Sequence, residues 1–470
     1  MLEPLPESNI LLLIARFEDM LSKKEKQFFD TEEFEDIIEY YSEKSKWKKA
    51  LSAVNLAIEQ YSFNLDFQLQ KSNILITLEK YDKALGLLES IEPMIPMQFE
   101  LHLYKGDVLM FKEDYAASIK SYKKALDAAN TIEEQENVCL DLAFVYQASD
   151  NYEMALKYIL KSIRLNYHHE EAISELGGYV EFHRNYDQGK KIFLEIIDHN
   201  PYCFQAWYYL GICYRELENI ELAIESFEYA VIISKSFEPA LIELSKTLSF
   251  IGRWEEAIEH FNEALKEEGD KHEIYTHLGN IYHNKRDFGN ARKHYNLAVK
   301  TALSTDFTDE LLYKIGECYR KEGNWKKAQT YYQKAYDKYK DALYLKGLAQ
   351  VSEELENFED AICFYEEALE LDPYNERIWL NYSKCLFNCE MFEDAVTVIE
   401  NALYIMTDSA QLRYLLSAYL YRAGKKQRGQ EEFKKGLQLD YLNHKEIIEQ
   451  FPHLRLEKSI IHLIEQHNQK

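Results

Sequence analysis

The sequence predicts an all-α protein, a solenoid of stacked two-helix hairpins closed by helices at each end. Three observations carry that prediction. A small residue returns about every 34 positions over most of the chain. Rings and aliphatic side chains keep fixed offsets from it that suit one face of a helix. Glycine and proline number only 16 and 8 in 470 residues, too few for sheets joined by tight turns or for flexible linkers.

The first element lies within residues 1–30. Ile10, Leu13, Ile14, Phe17, Met20 and Leu21 recur at helical spacing, which predicts an amphipathic helix that lids the first hairpin. Its apolar run "ILLLIA" follows Glu3 and Glu7 and precedes "RFEDM". It therefore lacks the basic start and small-residue end of a secretion signal. No run approaches the roughly 18–20 apolar residues that cross a bilayer, so no membrane insertion and a cytoplasmic location are expected.

Residues 31–443 hold the repeat. From Ala50 the small residue returns at Ala84, Ser118, Ala155, Gly189, Ala223, Ala257, Ala291, Ala328, Ala361, Ala395 and Gly429. The spacings are 34, 34, 37, 34, 34, 34, 34, 37, 33, 34 and 34, which gives about twelve units. No linker rich in Gly, Ser or Pro divides them, so one continuous solenoid is expected. In the stretch from 207 to 230, Trp207, Leu210, Gly211 and Tyr214 share a stripe of a first helix. Ala223, Phe227 and Ala230 share a stripe of the second. Gly211 and Ala223 let the two backbones approach, and the rings fill the wedge beside them and the gap to the next hairpin. Rings also begin most second helices, from Trp47 to Phe392, which accounts for much of the total of 36 tyrosines. The two spacings of 37 mark three-residue insertions near residues 130–136 and 303–309.

At these residues the chain resembles the tetratricopeptide repeat family, a 34-residue helix–turn–helix with W-x2-L-G-x2-Y, then A-x3-F and a late proline. The unit from 204 to 237 has all of these but the proline. Tyr275, Leu278, Gly279, Tyr282 and Ala291 repeat the series with Tyr for Trp. Leu312, Ile315, Gly316, Tyr319, Ala328 and Tyr332 give a third version, and Pro201 and Pro373 occupy the late position of their units. The likeness is to long, all-repeat bacterial proteins. It implies a right-handed superhelix whose stability arises from stacked neighbours and whose first helices line a concave groove. In residues 444–470, "NHKEIIEQF" stops at Pro452 and "KSIIHLIEQ" follows, which predicts short closing helices. Docking of a partner is the alternative role for either end.

Chemistry-bearing motifs are missing. There is no phosphate-binding G-x4-G-K-[ST] loop, dinucleotide fingerprint, H-E-x-x-H or G-x-S-x-G. No enzyme activity, catalytic residue or cofactor is expected. "HHEEA" lacks the second histidine of a metal motif, and His168 and His169 fall in a solvated turn between units. The seven cysteines form no CxxC pair and read as reduced, buried thiols, so no metal site is expected. The 81 acidic residues outweigh 55 basic ones for a formal charge of -26, a surface that repels nucleic-acid phosphates and anionic membranes. Acidic pairs such as "WEEA" and "FEDA" suit the first turn of a helix.

Family members usually contact ligands through positions 2, 5, 9, 12 and 13 of each unit. Through unit five these carry Glu32, Glu35, Glu39, Glu43, Asp66, Glu100, Asp107, Glu171 and Glu181, with no Lys or Arg. From unit six onward they include Tyr208, Arg215, Lys246, Asn280, His283, Tyr313, Arg320, Lys346, Lys384 and Tyr414. Lys321, Arg377, Tyr421 and Arg422 lie there too. Glutamates 216, 273, 310, 317, 353 and 354 share the face, leaving a net excess of two positive charges. The expected function is a non-enzymatic scaffold or adaptor whose groove binds an extended or helical protein segment with acidic and aromatic character. The competing expectation for the same residues is a solvated surface closed by internal salt bridges. A peptide-responsive regulatory sensor and a non-catalytic subunit of an enzyme or assembly complex are the other readings. The family's carboxylate clamp is not expected, because Thr276 and Leu69 stand where Lys would accompany Asn280 and Asn73. The sequence leaves homo-oligomer formation undecided.

Overall fold

The computed structural model describes residues 7–23, 27–267, 269, 271–302 and 308–468. Every regular element among them is helical, and no strand occurs among the described residues. The chain divides into two compact units, residues 1–240 and 241–470.

In the first unit α1 (Glu7–Lys23) precedes a series of hairpins. They are α2 (Thr31–Glu43) with α3 (Trp47–Gln60), α4 (Leu65–Thr77) with α5 (Tyr81–Ile91), and α6 (Phe99–Phe111) with α7 (Tyr115–Ala128). Next come α8 (Ile132–Ala148) with α9 (Tyr152–Leu165), α10 (Glu170–His183) with α11 (Tyr186–His199), and α12 (Phe204–Glu216) with α13 (Ile220–Ile233). The second unit opens with α14 (Glu238–Phe250), which begins at the boundary, and α15 (Trp254–Ala264). It continues with α16 (Lys271–Asn284) and α17 (Phe288–Thr301), α18 (Thr308–Lys321) and α19 (Trp325–Lys338), then α20 (Ala342–Glu354) and α21 (Phe358–Leu371). The last hairpins are α22 (Glu376–Asn388) with α23 (Phe392–Ile405) and α24 (Ala410–Arg422) with α25 (Lys426–Leu439). After them follow α26 (His444–Gln450), a 3-10 turn (Pro452–Leu456) and α27 (Lys458–Asn468). Within each unit the second helix of a hairpin also lies on the first helix of the next, from α3 on α4 to α11 on α12 and from α15 on α16 to α23 on α24.

One turn geometry joins the two helices of every hairpin. Position 15 of each unit is left-handed, from Ser45 at φ 53° to Gly424 at φ 78°. The next amide then reaches back across the helix end, as Asn151 N does to Tyr146 O at 2.8 Å and Asn324 N to Tyr319 O at 2.9 Å. This is a Schellman closure, which normally prefers glycine at the left-handed residue. Only Gly252, Gly323 and Gly424 supply it here; Glu, Asp, Arg and Ser hold the other turns.

Inside a hairpin, glycine at position 8 leaves bare backbone for a ring at position 24. A methyl group added to Gly211 would stand 2.6 Å from the Phe227 ring, and one at Gly279 only 2.4 Å from Tyr295. Tyr122, Tyr295 and Tyr332 are fully buried in this way, and Tyr365 is equally buried in a hairpin whose position 8 is Ala349. A buried phenol needs a hydrogen-bond partner, and the first helix of the same hairpin provides it. Tyr122 donates to Asp107 Oδ1 at 2.6 Å, Tyr295 to Asn280 Oδ1 at 2.9 Å and Tyr365 to Glu353 Oε1 at 2.6 Å. Between hairpins, the Trp at position 4 donates to the late proline carbonyl before it. Trp207 Nε1 reaches Pro201 O at 2.9 Å, and Trp379 Nε1 reaches Pro373 O at 2.8 Å.

The insertion near residues 130–136 is absorbed as extra helix, since α8 runs 17 residues where most first helices run 13. Most of the second insertion, residues 303–307, lies outside the described residues. At the start, Leu13, Ile14, Phe17 and Met20 of α1 are buried, with the Phe17 ring 5.7 Å from Phe29 and 6.3 Å from Tyr41. Leu21 instead stays 42% exposed. At the other end Phe451 meets the rings of Phe387 at 5.5 Å and Tyr419 at 5.8 Å, and Leu454 and Ile460 are fully buried. Five of the cysteines are buried, but Cys363 is exposed, which corrects the expectation that all seven are interior. His168 is exposed in the turn, as expected, whereas His169 is half-buried at the start of α10. His169 Nδ1 lies 2.8 Å from Ser162 Oγ, and His168 Nδ1 lies 3.1 Å from Asn200 Nδ2.

Candidate binding cleft

Among the first helices of the second unit, α18, α20 and α22 face a common cleft of about 340 Å³. It is lined by Tyr313, Glu317 and Arg320 from α18, Lys346 and Gln350 from α20, and Arg377, Leu380 and Asn381 from α22. The helical register explains the grouping. Tyr313, Lys346 and Leu380 stand at position 5 of their units, and Glu317 and Gln350 at position 9, so successive hairpins present equivalent places side by side.

Tyr313 forms one wall. Its ring packs 5.2 Å from Tyr332 and 5.3 Å from Tyr344, and Tyr344 is fixed by donating to Asp309 Oδ2 at 2.7 Å. Glu317 and Arg320 close on each other through Nε–Oε1 at 2.9 Å and Nη2–Oε2 at 2.7 Å. Burial pushes the Glu317 carboxyl up, yet its bonds from Arg320 and from the Tyr332 hydroxyl outweigh this and hold it below the ordinary range. That pair is electrically satisfied. Lys346 and Arg377 are not. Among the described residues neither cation has an ion-pair partner, and the carboxamides of Gln350 and Asn381 have no hydrogen-bond partner. Burial holds the Lys346 ammonium below its ordinary value; the pull of Glu317 favours its charge, while Arg377 and Arg320 repel it. The cleft thus holds two positive charges without an ion pair, Lys346 half-buried within it and Arg377 exposed at its edge.

The other residues expected on this face divide by unit. Tyr208 and Arg215 belong to the first. Tyr208 is half-buried against the rings of Tyr209, Phe227 and Phe237, and Arg215 meets Glu216 at 3.2 Å. In the second unit Lys246 bridges Glu243 at 3.0 Å and Glu273. Burial lowers its ammonium, but those two carboxylates outweigh it and raise it. Asn280 spends its carbonyl oxygen on Tyr295. His283 packs edge-on to Phe288 at 5.5 Å, and burial keeps its ring below the ordinary histidine value despite Glu317. Lys384 is exposed on α22 without an ion-pair partner among the described residues. Tyr414 requires a correction: it is 1% exposed, packs on Phe433 and donates to Asp440 O at 2.7 Å, so its ring is core rather than lining. The competing expectation of internal salt bridges therefore describes Arg215, Lys246 and Arg320, while Lys346, Arg377 and Lys384 stay open. Sequence reasoning did not single out Gln350, Leu380 or Asn381. Gln350 and Leu380 occupy groove positions but carry no charge to mark them, and Asn381 lies one place beyond.

Among the described residues no group of three or more His, Cys, Asp or Glu side chains could hold a metal ion, and no helix is long and apolar enough to cross a membrane.

Repeated hairpins of similar length, most with a ring packed on a small residue and each stacking on the next within its unit, define a helical-repeat protein. Family models of the tetratricopeptide repeat match residues 100–131, 136–169, 181–239, 270–341, 308–373 and 352–419. The chain belongs to the tetratricopeptide repeat family, whose fold serves as a scaffold for protein–protein interaction. It is 22% identical to the TPR repeat-containing protein MJ1428 of Methanocaldococcus jannaschii, over 82% of this chain and 72% of that protein. It is 23% identical to the TPR repeat-containing protein YpiA of Bacillus subtilis, over 82% of this chain and 89% of the relative. Among solved structures, the APC/C hetero-tetramer Cut9–Hcn1 aligns over 83% of this chain and 89% of its own, at 15% identity and a TM-score of 0.37.

Proposed function

We propose that the protein is a non-catalytic scaffold or adaptor of the cytoplasm that holds an acidic, aromatic-containing segment of a partner protein on the first-helix face of α18, α20 and α22. The observation that carries this reading is the pair of uncompensated cations, Lys346 and Arg377, beside the Tyr313 ring. Leaving the half-buried Lys346 ammonium without a counter-ion costs stability, and a carboxylate from a partner recovers it through charge-assisted hydrogen bonds, with exposed Arg377 within its reach. The Tyr313 ring, held in place by Tyr332 and Tyr344 behind it, meets the segment with little ordering cost. The salt-bridged Arg320 serves as a fixed backdrop rather than a free donor.

Co-purification of the full chain from its native cells, followed by mass spectrometry, tests this. The wild type is expected to retain a partner with acidic segments. The double variant Lys346→Glu, Arg377→Glu is expected to lose it while keeping its helical circular dichroism. Equal recovery by both chains would retire the reading.

A further inference from the structure

The fixed charge of the cleft does not close. Glu317 is engaged by Arg320 and Tyr332, so Lys346 and Arg377 add two positive charges that no carboxylate among the described residues pairs with. Gln350 and Asn381 add carboxamide donors that are also unspent. All four side chains stand on α20 and α22, helices backed by α21 and α23, so the points from which the donors extend are fixed before any ligand arrives. A single carboxylate brings one negative charge and two oxygens, which leaves one of the two cations unbalanced. A phosphate monoester brings about -1.5 to -2 charges and three strong acceptor oxygens. Lysine as a compact charge and arginine as a planar fork are the side chains suited to hold it.

We infer that this cleft receives a phosphorylated side chain, with Lys346 and Arg377 on the phosphate oxygens, Gln350 and Asn381 as further donors, and Leu380 and Tyr313 flanking the carbon atoms that carry it. The inference rests on the scaffold reading above and narrows its ligand to a phosphoprotein segment. The position of the Lys346 ammonium below its ordinary value, caused first by burial, accords with a cation that still lacks its anion.

Phenyl phosphate and phenyl sulfate separate charge from shape, because the two are alike in form but the sulfate stays singly charged. In calorimetric titration of the full chain, phenyl phosphate is expected to bind at least about tenfold tighter than phenyl sulfate at pH 7. Its affinity is expected to rise about tenfold between pH 5 and pH 7, following the second phosphate ionisation near 6. Glu317, Arg320, Lys346 and Arg377 face the ligand, and His283 acts on Glu317. Their own titration would shift both probes alike, so a flat profile for phenyl sulfate is the control. Lys346→Gln and Arg377→Gln are each expected to weaken phenyl phosphate about tenfold, whereas Lys326→Gln, on the exposed side of α19, changes it less than about twofold. Equal affinity for the two probes overturns the inference, as does indifference to both cleft substitutions.

Peptides distinguish its failure from that of the scaffold reading. An acidic peptide with one tyrosine is expected to bind more tightly once that tyrosine is phosphorylated. If phosphorylation adds nothing while Lys346→Glu, Arg377→Glu still abolishes binding, the phosphate inference falls and the scaffold reading stands. If phenyl phosphate binds and neither peptide does, both fall. A 5′-phosphorylated oligonucleotide binding in preference to the phosphopeptide also overturns the inference.

Discussion

At the scale of single residues, the position-9 side chains show how one place in a repeat can serve packing or recognition. Asp107 and Asn280 both accept from a buried tyrosine of their own hairpin, and Glu317 does the same while holding Arg320. In the first unit this arrangement lacks cations. Burial pushes the Asp107 carboxyl up to about 6, and burial together with Asp107 and Glu171 pushes Asp141 up to about 7. A carboxyl raised above its unfolded value near 3.9 binds more protons folded than unfolded across the interval between the two values. Its term therefore favours the fold most at low pH and is lost as pH rises through about 7. Asp141→Asn is expected to stabilise the protein by about 1–3 kcal/mol at pH 8 and by much less at pH 5. Paired denaturant melts of wild type and variant at the two pH values measure the difference. A gain independent of pH would refute the assignment. Glu92 and Glu273 do not confuse the comparison. The hydrogen bonds of Lys105 and Lys124, and those of His277 and Lys246, hold them near 2, so their contributions fade only below the range compared.

At the scale of the helix pair, the spacing of small residue and ring is a steric instruction. Tyr295 lies on Gly279 so closely that a methyl group there would stand 2.4 Å from it, whereas nothing lies within 4 Å of a methyl group at Gly86. Gly279→Ala is therefore expected to destabilise the protein by about 1–3 kcal/mol through overpacking. Gly86→Ala, at an open site inside α5, is expected to stabilise it by about 0.5–1 kcal/mol through helix propensity. Urea titration of both variants checks the pair, and like-signed shifts would contradict the packing account. This level of the fold was legible in the sequence because a ring and a missing side chain leave a periodic trace. The connecting turns were not. Their left-handed residue is Glu79, Glu113, Glu218, Glu356 or Glu390 in five units, and glutamate carries no local signal for that conformation. The hydrogen-bonded closure around it enforces the geometry. The cleft was legible only in part for a related reason: charge revealed Lys346 and Arg377, and Glu317 stands three residues before Arg320, but the sequence alone left open which cations internal salt bridges would close.

At the scale of the whole molecule, each hairpin buries its apolar stripe against sequence neighbours within its unit, so stabilising contacts are short in range along the chain. Damage should then spread by adjacency rather than all at once. Gly316 offers a sharp case, since a methyl group there would stand 2.6 Å from the Tyr332 ring, and Tyr332 also lies within 3.2 Å of a methyl group placed on Gly347 in the next hairpin. Gly316→Val would displace that ring and loosen α18–α19 and α20–α21 together. Hydrogen exchange is expected to accelerate by roughly tenfold or more in these helices and in α16–α17, while α2 through α7 keep their wild-type protection. The same variant should lose the acidic segment, because Tyr313, Glu317, Lys346 and Gln350 stand on the loosened hairpins. A uniform rise in exchange along all helices would mean that the chain unfolds as one cooperative body, and the nearest-neighbour account of its stability would have to be given up.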